Sequence, residues 1–172
     1  MWTGLTSAAC HEHDRDEPET SCHRGGDRHG WRLCPSLCYF AMVQQNITKT
    51  LRNDSLKPLH RLRQWFDIQF DFLKQADFRN GCLIGNFSAE VGPHSDMINA
   101  KLIKMYAEIH GSVVYCLKAA VKSGELPATV DCKEVAHFLY SSLQGAILQA
   151  KVERSPLPLK RFIKIAFSTI LR

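Results

Sequence analysis

The chain predicts an all-α protein, an antiparallel bundle of about six helices, and three observations carry that expectation. Apolar residues from Ile98 to Ala120 recur at spacings of four, four, three, four, four and three, a sustained helical period. No stretch alternates apolar and polar residues for long enough to make a strand. Breakers stand where the periodic segments stop, at Gly92-Pro93, Ser123-Gly124 and Ser155-Pro156.

Composition narrows the class further. A chain of 172 residues holds one ordinary domain and is too short for two large ones. With 45% hydrophobic and 23% charged residues it reads as a soluble globular protein. No apolar run approaches the roughly 18 residues of a membrane span, and "MWTGLTSAACHEHDRDEPE" lacks the basic start and apolar centre of a secretory signal. The expectation is a cytoplasmic chain with no membrane partner. Its seven cysteines should then be reduced thiols, and their odd number argues against a closed disulfide framework. The net charge is +5, but residues 1–33 carry four arginines and six acids, −2, which leaves +7 on the remainder. That basic charge is spread along helical faces without a tight cluster, as on a solvated surface.

Residues 1–36 show no helical or strand period and few residues fit for burial, so disorder is expected there. Cys10, His11, His13, Cys22, His23, His29, Cys34 and Cys38 invite a zinc reading, but their spacing fits no standard finger. No metal or other cofactor is expected. From Leu37, "LCYFAMVQQNITKTL" predicts a first helix that stops near Asn53-Asp54. Ser55 is the candidate N-cap of the next helix, with Pro58 in its first turn. That helix runs to about Ala76. It carries one stripe of Leu59, Leu62, Phe66 and Leu73 and a second of Trp65, Ile68 and Phe72.

"GCLIGN" at residues 81–86 is neither a P-loop nor a Rossmann fingerprint; it reads as a turn at Gly81 and the start of a helix. Ser95 or Asp96 should cap the long helix that ends at Lys122, with Ser123-Gly124 as its stop. Asp131 and Glu134 are spaced as a capping box for a helix burying Val135, Leu139, Leu143, Ala146 or Ile147, and Ala150. Ser155 as N-cap and Pro156 at the first position then begin the last helix.

The last two helices carry a surplus. Ser141, Ser142, Gly145, Ala146 and Ala150 form a strip of small side chains that lets another helix approach closely. The final helix is apolar at Leu159, Phe162, Ile163, Ile165, Ala166, Phe167, Ile170 and Leu171, more than one neighbour would bury. A twofold homodimer is expected, with contacts at Ser142, Gly145, Ala146, Gln149, Phe162, Ile163, Ala166 and Ile170. The competing reading puts the last helix wholly inside one subunit's core.

"FRNGCLIGNFSAEV", the "SGEL" connector and "LYSSLQGAILQAKVERSPLPL" resemble the C-terminal domain of TetR-type transcriptional regulators, from about Leu59 to Leu171. "YFAMVQQNITKTL" from Tyr39 is similar to the helix that joins the two domains of such repressors. The resemblance implies an effector-binding and dimerising domain, residues 37–172, with no enzymatic activity. It also implies a four-helix dimer interface from the last two helices of each subunit and a small-molecule inducer pocket among the central helices. DNA is the partner at family level. The family's helix-turn-helix head of about 45–50 residues has no counterpart upstream of Tyr39, so residues 1–36 read as unrelated sequence in its place.

Trp65, Phe66, Phe72, Phe87 and Tyr106 are the candidates to line a pocket for a small apolar or aromatic molecule, with plain core as the alternative for each. Cys82 stands in a first helical turn, where the helix N-terminus favours a thiolate. Lys151 is the only lysine in an otherwise small and apolar helix end. An ammonium brought near that sulfur would speed its attack on quinones, enals or hypochlorite, making Cys82 and Lys151 a candidate redox or electrophile sensor; simple packing is the alternative. Two other functions compete. One is a module that heterodimerises with a full-length relative. The other is a small helical enzyme using His94, His110 and His137 with Glu90, Glu108 or Asp96, although the chain contains no metal motif or nucleophile elbow.

Overall fold

The computed structural model describes residues 33–90 and 94–172, with side chains from residue 41 onward. The expected disorder of the N-terminal segment, most of the zinc candidates and the Gly92-Pro93 break lie outside the described residues, as do the side chains of Cys34 and Cys38. Among the described residues six α-helices follow one another: α1 Leu33–Lys49, α2 Pro58–Gln75, α3 Leu83–Glu90, α4 Asp96–Lys122, α5 Cys132–Glu153 and α6 Leu157–Ile165. A π-helical turn, Ala166–Ile170, ends the chain's ordered path. No strand occurs among the described residues. The chain divides into two units, Met1–Gln45 and Asn46–Arg172, and the second contains the end of α1 and the other five helices.

Several helix ends are as expected. Ser95 caps α4, its hydroxyl accepting from the Ile98 N–H at 3.4 Å. Asp131 caps α5, accepting from the N–H groups of Lys133 and Glu134 at 3.0 and 3.2 Å. Gly81 and Gly124 take positive φ values of 68° and 77° where the chain turns, a conformation glycine adopts without strain.

Other ends differ, for local reasons. α1 begins at Leu33, four residues before the expected start at Leu37. Ser55 does not cap α2; its own N–H and hydroxyl both donate to the Asn53 side chain. The N-cap is Lys57, which makes no side-chain bond, with Pro58 beginning the helix. A distant group serves that helix start instead: the Glu125 carboxylate accepts from the Leu59 N–H at 3.1 Å. Orphan N–H groups at a helix N-terminus favour an anion from any source. At α6 the N-cap is Pro156 rather than Ser155, whose hydroxyl accepts from the Leu157 N–H at 3.2 Å.

Burial gives the layers. α5 packs against both α4 and α6, and α4 also receives α2 and α3. Leu62, Phe66, Ile109, Val113, Leu117, Leu139, Leu143 and Leu159 are each 1% exposed or less and form the centre. Arg61, on α2, is buried with them at 5% exposure. Its guanidinium is satisfied by Asp54 at 2.6 Å and by the Leu56 carbonyl at 2.7 Å. Tyr115 of α4 donates to the same Asp54 carboxylate, which ties the α1–α2 loop to α4.

This clamp makes a pH prediction. The Tyr115 hydroxyl, and then the Arg61 guanidinium, hold the Asp54 carboxyl below its ordinary 3.8. A group depressed in the fold stabilises above its unfolded pKa, and that contribution is lost as pH falls through the folded value. On the alkaline side, burial pushes the Cys116 thiol from 9.0 up to about 12. The folded chain keeps a proton that the unfolded chain releases, so stability should fall as pH rises from about 9 towards about 12. Urea midpoints against pH should therefore decline at both ends, and Cys116→Val should flatten the first part of the alkaline decline. An unchanged alkaline limb in that variant would contradict the assignment to Cys116.

Candidate functional site

Rings from three helices meet between α2, α4 and α5. Trp65 and Phe66 of α2 are buried at 3% and 1% exposure, with ring centroids 5.3 Å apart. Trp65 stacks on Tyr140 of α5 at 6.3 Å. Tyr106 and His110, one helical turn apart on α4, meet the same Tyr140 edge-on at 5.7 and 5.3 Å. His137, three residues before Tyr140, brings its ring to 4.0 Å from His110. The Tyr106 hydroxyl is joined to the Ser88 hydroxyl of α3 at 3.0 Å, so α3 touches the cluster as well.

Three of the five aromatic candidates therefore come together, through Tyr140. Phe72 and Phe87 are half-buried and stand apart from these rings among the described residues. Phe66 also receives Phe162 and Phe167 edge-on from the far end of the chain, which ties the cluster to α6. Tyr140 and Ser88 were not expected here. The i,i+4 pair Tyr106/His110 and the i,i+3 pair His137/Tyr140 carry a signal for it, since each pair shares a helix face. His110 and His137 meet, and among the described residues no three His, Cys, Asp or Glu side chains gather into a metal-binding group. Burial, and then the facing His137, hold His110 below its ordinary 6.5, so it is neutral at pH 7.

A second cluster lies where α3 meets α5. The amide of Gln144 donates to the Cys82 sulfur at 3.5 Å. A Cβ on Gly85 would come within 2.9 Å of the Gln144 side-chain oxygen, so glycine is what lets α3 approach this closely. The Lys151 ammonium donates to the Asn86 carbonyl oxygen at 3.4 Å, and a Cβ on Gly81 would stand 3.8 Å from that nitrogen. Lys151 thus reaches the residue beside Cys82, from 69 positions further along the chain. Asn86 is held in turn by donating to the Asn80 carbonyl at 2.9 Å. Cys116, by contrast, is fully buried and donates to the Pro58 carbonyl at 3.0 Å.

A third feature is a face. On α5, Phe138, Leu148 and Val152 are 54%, 61% and 78% exposed, with Ser141, Gly145 and Gln149 exposed between them. These positions recur every three or four residues and make one continuous stripe. On α6, Leu157 and Ile165 are each 51% exposed. A Cβ on Gly145 meets nothing within 4 Å. The expected interface residues divide between this face and the core. Gly145 and Gln149 are exposed, and Ser142, Phe162 and Ile170 are half-buried. Ala146, Ile163 and Ala166 are at most 8% exposed and serve packing within the subunit.

The described helices thus present an aromatic cluster between α2, α4 and α5 and exposed apolar side chains on α5 and α6. A family model for the tetracyclin repressor-like C-terminal domain matches residues 58–166, and the chain belongs to that family. The HTH-type transcriptional repressor DhaR of Mycobacterium sp. (strain GP1) is 32% identical over 133 residues, covering 77% of this chain and 65% of DhaR. Transcriptional regulator AcuR of Cereibacter sphaeroides is 32% identical over 126 residues, covering 73% of this chain and 56% of AcuR. The chain thus spans less than two thirds of the length of these relatives. A crystal structure of regulatory protein TetR from Rhodobacter sphaeroides aligns with a TM-score of 0.68 at 31% identity, over 73% of this chain and 67% of that one. No described helix is long and apolar enough to cross a membrane.

Proposed function

We propose that residues 37–172 are the effector-binding and dimerising domain of a cytoplasmic TetR-type transcriptional regulator that responds to a small apolar or electrophilic molecule. The observation that carries this reading is the aromatic cluster of Trp65, Tyr106, His110 and Tyr140 among α2, α4 and α5. Rings with a few polar edges, set between helices, suit a small apolar ligand. The partners are that molecule and a second copy of the chain, which covers the stripe from Phe138 to Val152; DNA is the target of the regulators it resembles. A ligand alters such a regulator only if it binds one conformation better than another. The test is a thermal-shift screen of aromatic, alkyl and electrophilic compounds. Binding to the folded state raises the melting temperature, by about 2.7 kcal/mol of stability at a hundredfold excess over Kd. If no compound of any of these sets raises it, the effector reading falls.

Electrophile sensing is favoured specifically by the second cluster. A Cys82 thiolate adding to an enal forms an S–C bond at the β-carbon, opens the C=C bond, and leaves the α-carbon to take a proton from solvent. The Gln144 amide donates to the sulfur, and the Lys151 ammonium lies against Gly81 and Asn86, next to Cys82 and one helical turn on. Cys132 is the fair comparison, since it is also half-buried. Alkylation mapped by mass should reach Cys82 first, and Lys151→Met should slow it several-fold. If Cys82 reacts no faster than Cys132, or is indifferent to Lys151→Met, it serves packing alone.

A further inference from the structure

Two buried side-chain polar atoms lack a partner among the described residues: the Gln64 carbonyl oxygen on α2 and His110 Nε2 on α4. α2 and α4 pack against each other. Gln64 directly precedes Trp65, and His110 meets Tyr140, the ring on which Trp65 stacks. Buried polar groups without partners are rare in folded proteins, and each calls for an explanation. Here both fall on helices that supply rings to the aromatic cluster.

The chemistry of these two atoms discriminates among ligands. The Gln64 carbonyl oxygen only accepts. Neutral His110 presents Nε2 as a donor or an acceptor, according to which nitrogen holds its proton. An ionised carboxylate only accepts, so it cannot serve Gln64. It could pair only with the His110 tautomer that carries its proton on Nε2, and its charge would be desolvated beside neutral groups alone. An ammonium only donates, and it would sit beside two imidazoles, either of which becomes a like charge on protonation. A hydroxyl group donates and accepts, carries no charge to desolvate, and pairs with Nε2 in either tautomer.

We propose that the aromatic cluster binds a small, uncharged aromatic or apolar molecule bearing a hydroxyl group, with His110 Nε2 as the hydrogen-bonding anchor and the Gln64 carbonyl oxygen accepting the hydroxyl hydrogen where Nε2 donates. The proposal rests on the effector-binding reading above and names the ligand class for that site. The rings of Trp65, Tyr106 and Tyr140 hold the apolar body, and the hydroxyl gives the site its selectivity. A pocket built to hydrogen-bond a hydroxyl rejects the analogue lacking it, because its own buried groups are then left unpaired.

Four compounds on one benzene ring test this: toluene, benzyl alcohol, benzylamine and benzoate, titrated against the full chain at neutral pH with melting temperature and calorimetry as readouts. Benzyl alcohol should bind about tenfold more tightly than toluene, a difference of about 1.4 kcal/mol, and both charged compounds should bind more weakly than it. His110→Phe, which keeps a ring, should erase the preference for benzyl alcohol over toluene. If that variant fails to fold, Gln64→Met should narrow the same preference. Equal binding of toluene and benzyl alcohol would overturn the proposal and leave effector binding standing. Tighter binding of benzoate or of benzylamine would overturn it in favour of an anion or a cation site. Binding of none of the four would overturn it too, and the thermal-shift screen then decides separately whether any effector binds.

Discussion

Gly145→Leu should convert the protein from dimer to monomer without unfolding it. Inside the subunit a Cβ at this exposed position meets nothing within 4 Å, so the first carbon of a new side chain has room in the isolated fold. Replacing glycine with leucine in a helix interior should even stabilise the subunit, by about 0.8 kcal/mol. On the exposed stripe of Phe138, Ser141, Leu148, Gln149 and Val152, however, the same side chain stands where the partner helix of the proposed dimer would come close. Overpacking a closely fitted surface costs about 1–3 kcal/mol, and in a twofold interface the cost is met in both copies. The expected result is a raised monomer fraction, at least tenfold in Kd by that estimate, with unchanged helical circular dichroism. A variant that stays as dimeric as the parent would place the interface elsewhere.

The second large effect is on stability. Leu143 of α5 is 1% exposed, on the helix that packs against both α4 and α6. Leu143→Ala removes buried methyl groups at a point where rigid helices cannot close the gap. A loss of about 2–5 kcal/mol follows, which for a chain of this size lowers the melting temperature by roughly 5–20 °C. Leu148→Ala on the same helix is the control. Leu148 is 61% exposed, so its removal should leave the subunit's own packing nearly untouched while weakening association. Equal destabilisation by the two substitutions, read at a concentration low enough to dissociate the dimer, would contradict the division of α5 into a core face and a free face.

The helices with long apolar repeats and side-chain caps were legible in the sequence. α4 and α5 follow their spacings, and Ser95 and Asp131 cap them because a short polar side chain beside an apolar run has little else to bond. Ser55 misled because Asn53, two residues earlier, offered its N–H and hydroxyl a nearer acceptor, and the start of α2 took its anion from Glu125 across the fold. Such a long-range cap leaves no local pattern. The end of α6 was expected to continue as regular α-helix, but the chain widens into a π turn over Ala166–Ile170.

The site was legible in parts. The approach of Lys151 to the Cys82 region showed as a lone lysine in a small and apolar helix end. The aromatic cluster was half legible: Trp65, Phe66 and Tyr106 are conspicuous, but their link is Tyr140, which the apolar spacing of α5 did not single out. The expected interface residues divide between core and surface because α5 is apolar on two faces. Periodicity identifies both stripes, and only the arrangement of α4 and α6 decides that Ala146 turns inward and Gly145 outward.

A dimerising domain is the claim on which the effector mechanism depends, and sedimentation equilibrium of the unmodified chain at micromolar concentration tests it most directly. The monomer mass is 19.5 kDa. A stripe with Phe138, Leu148 and Val152 all more than half exposed predicts a particle of twice that mass, dissociating only on dilution. A single species at the monomer mass across that range would contradict it.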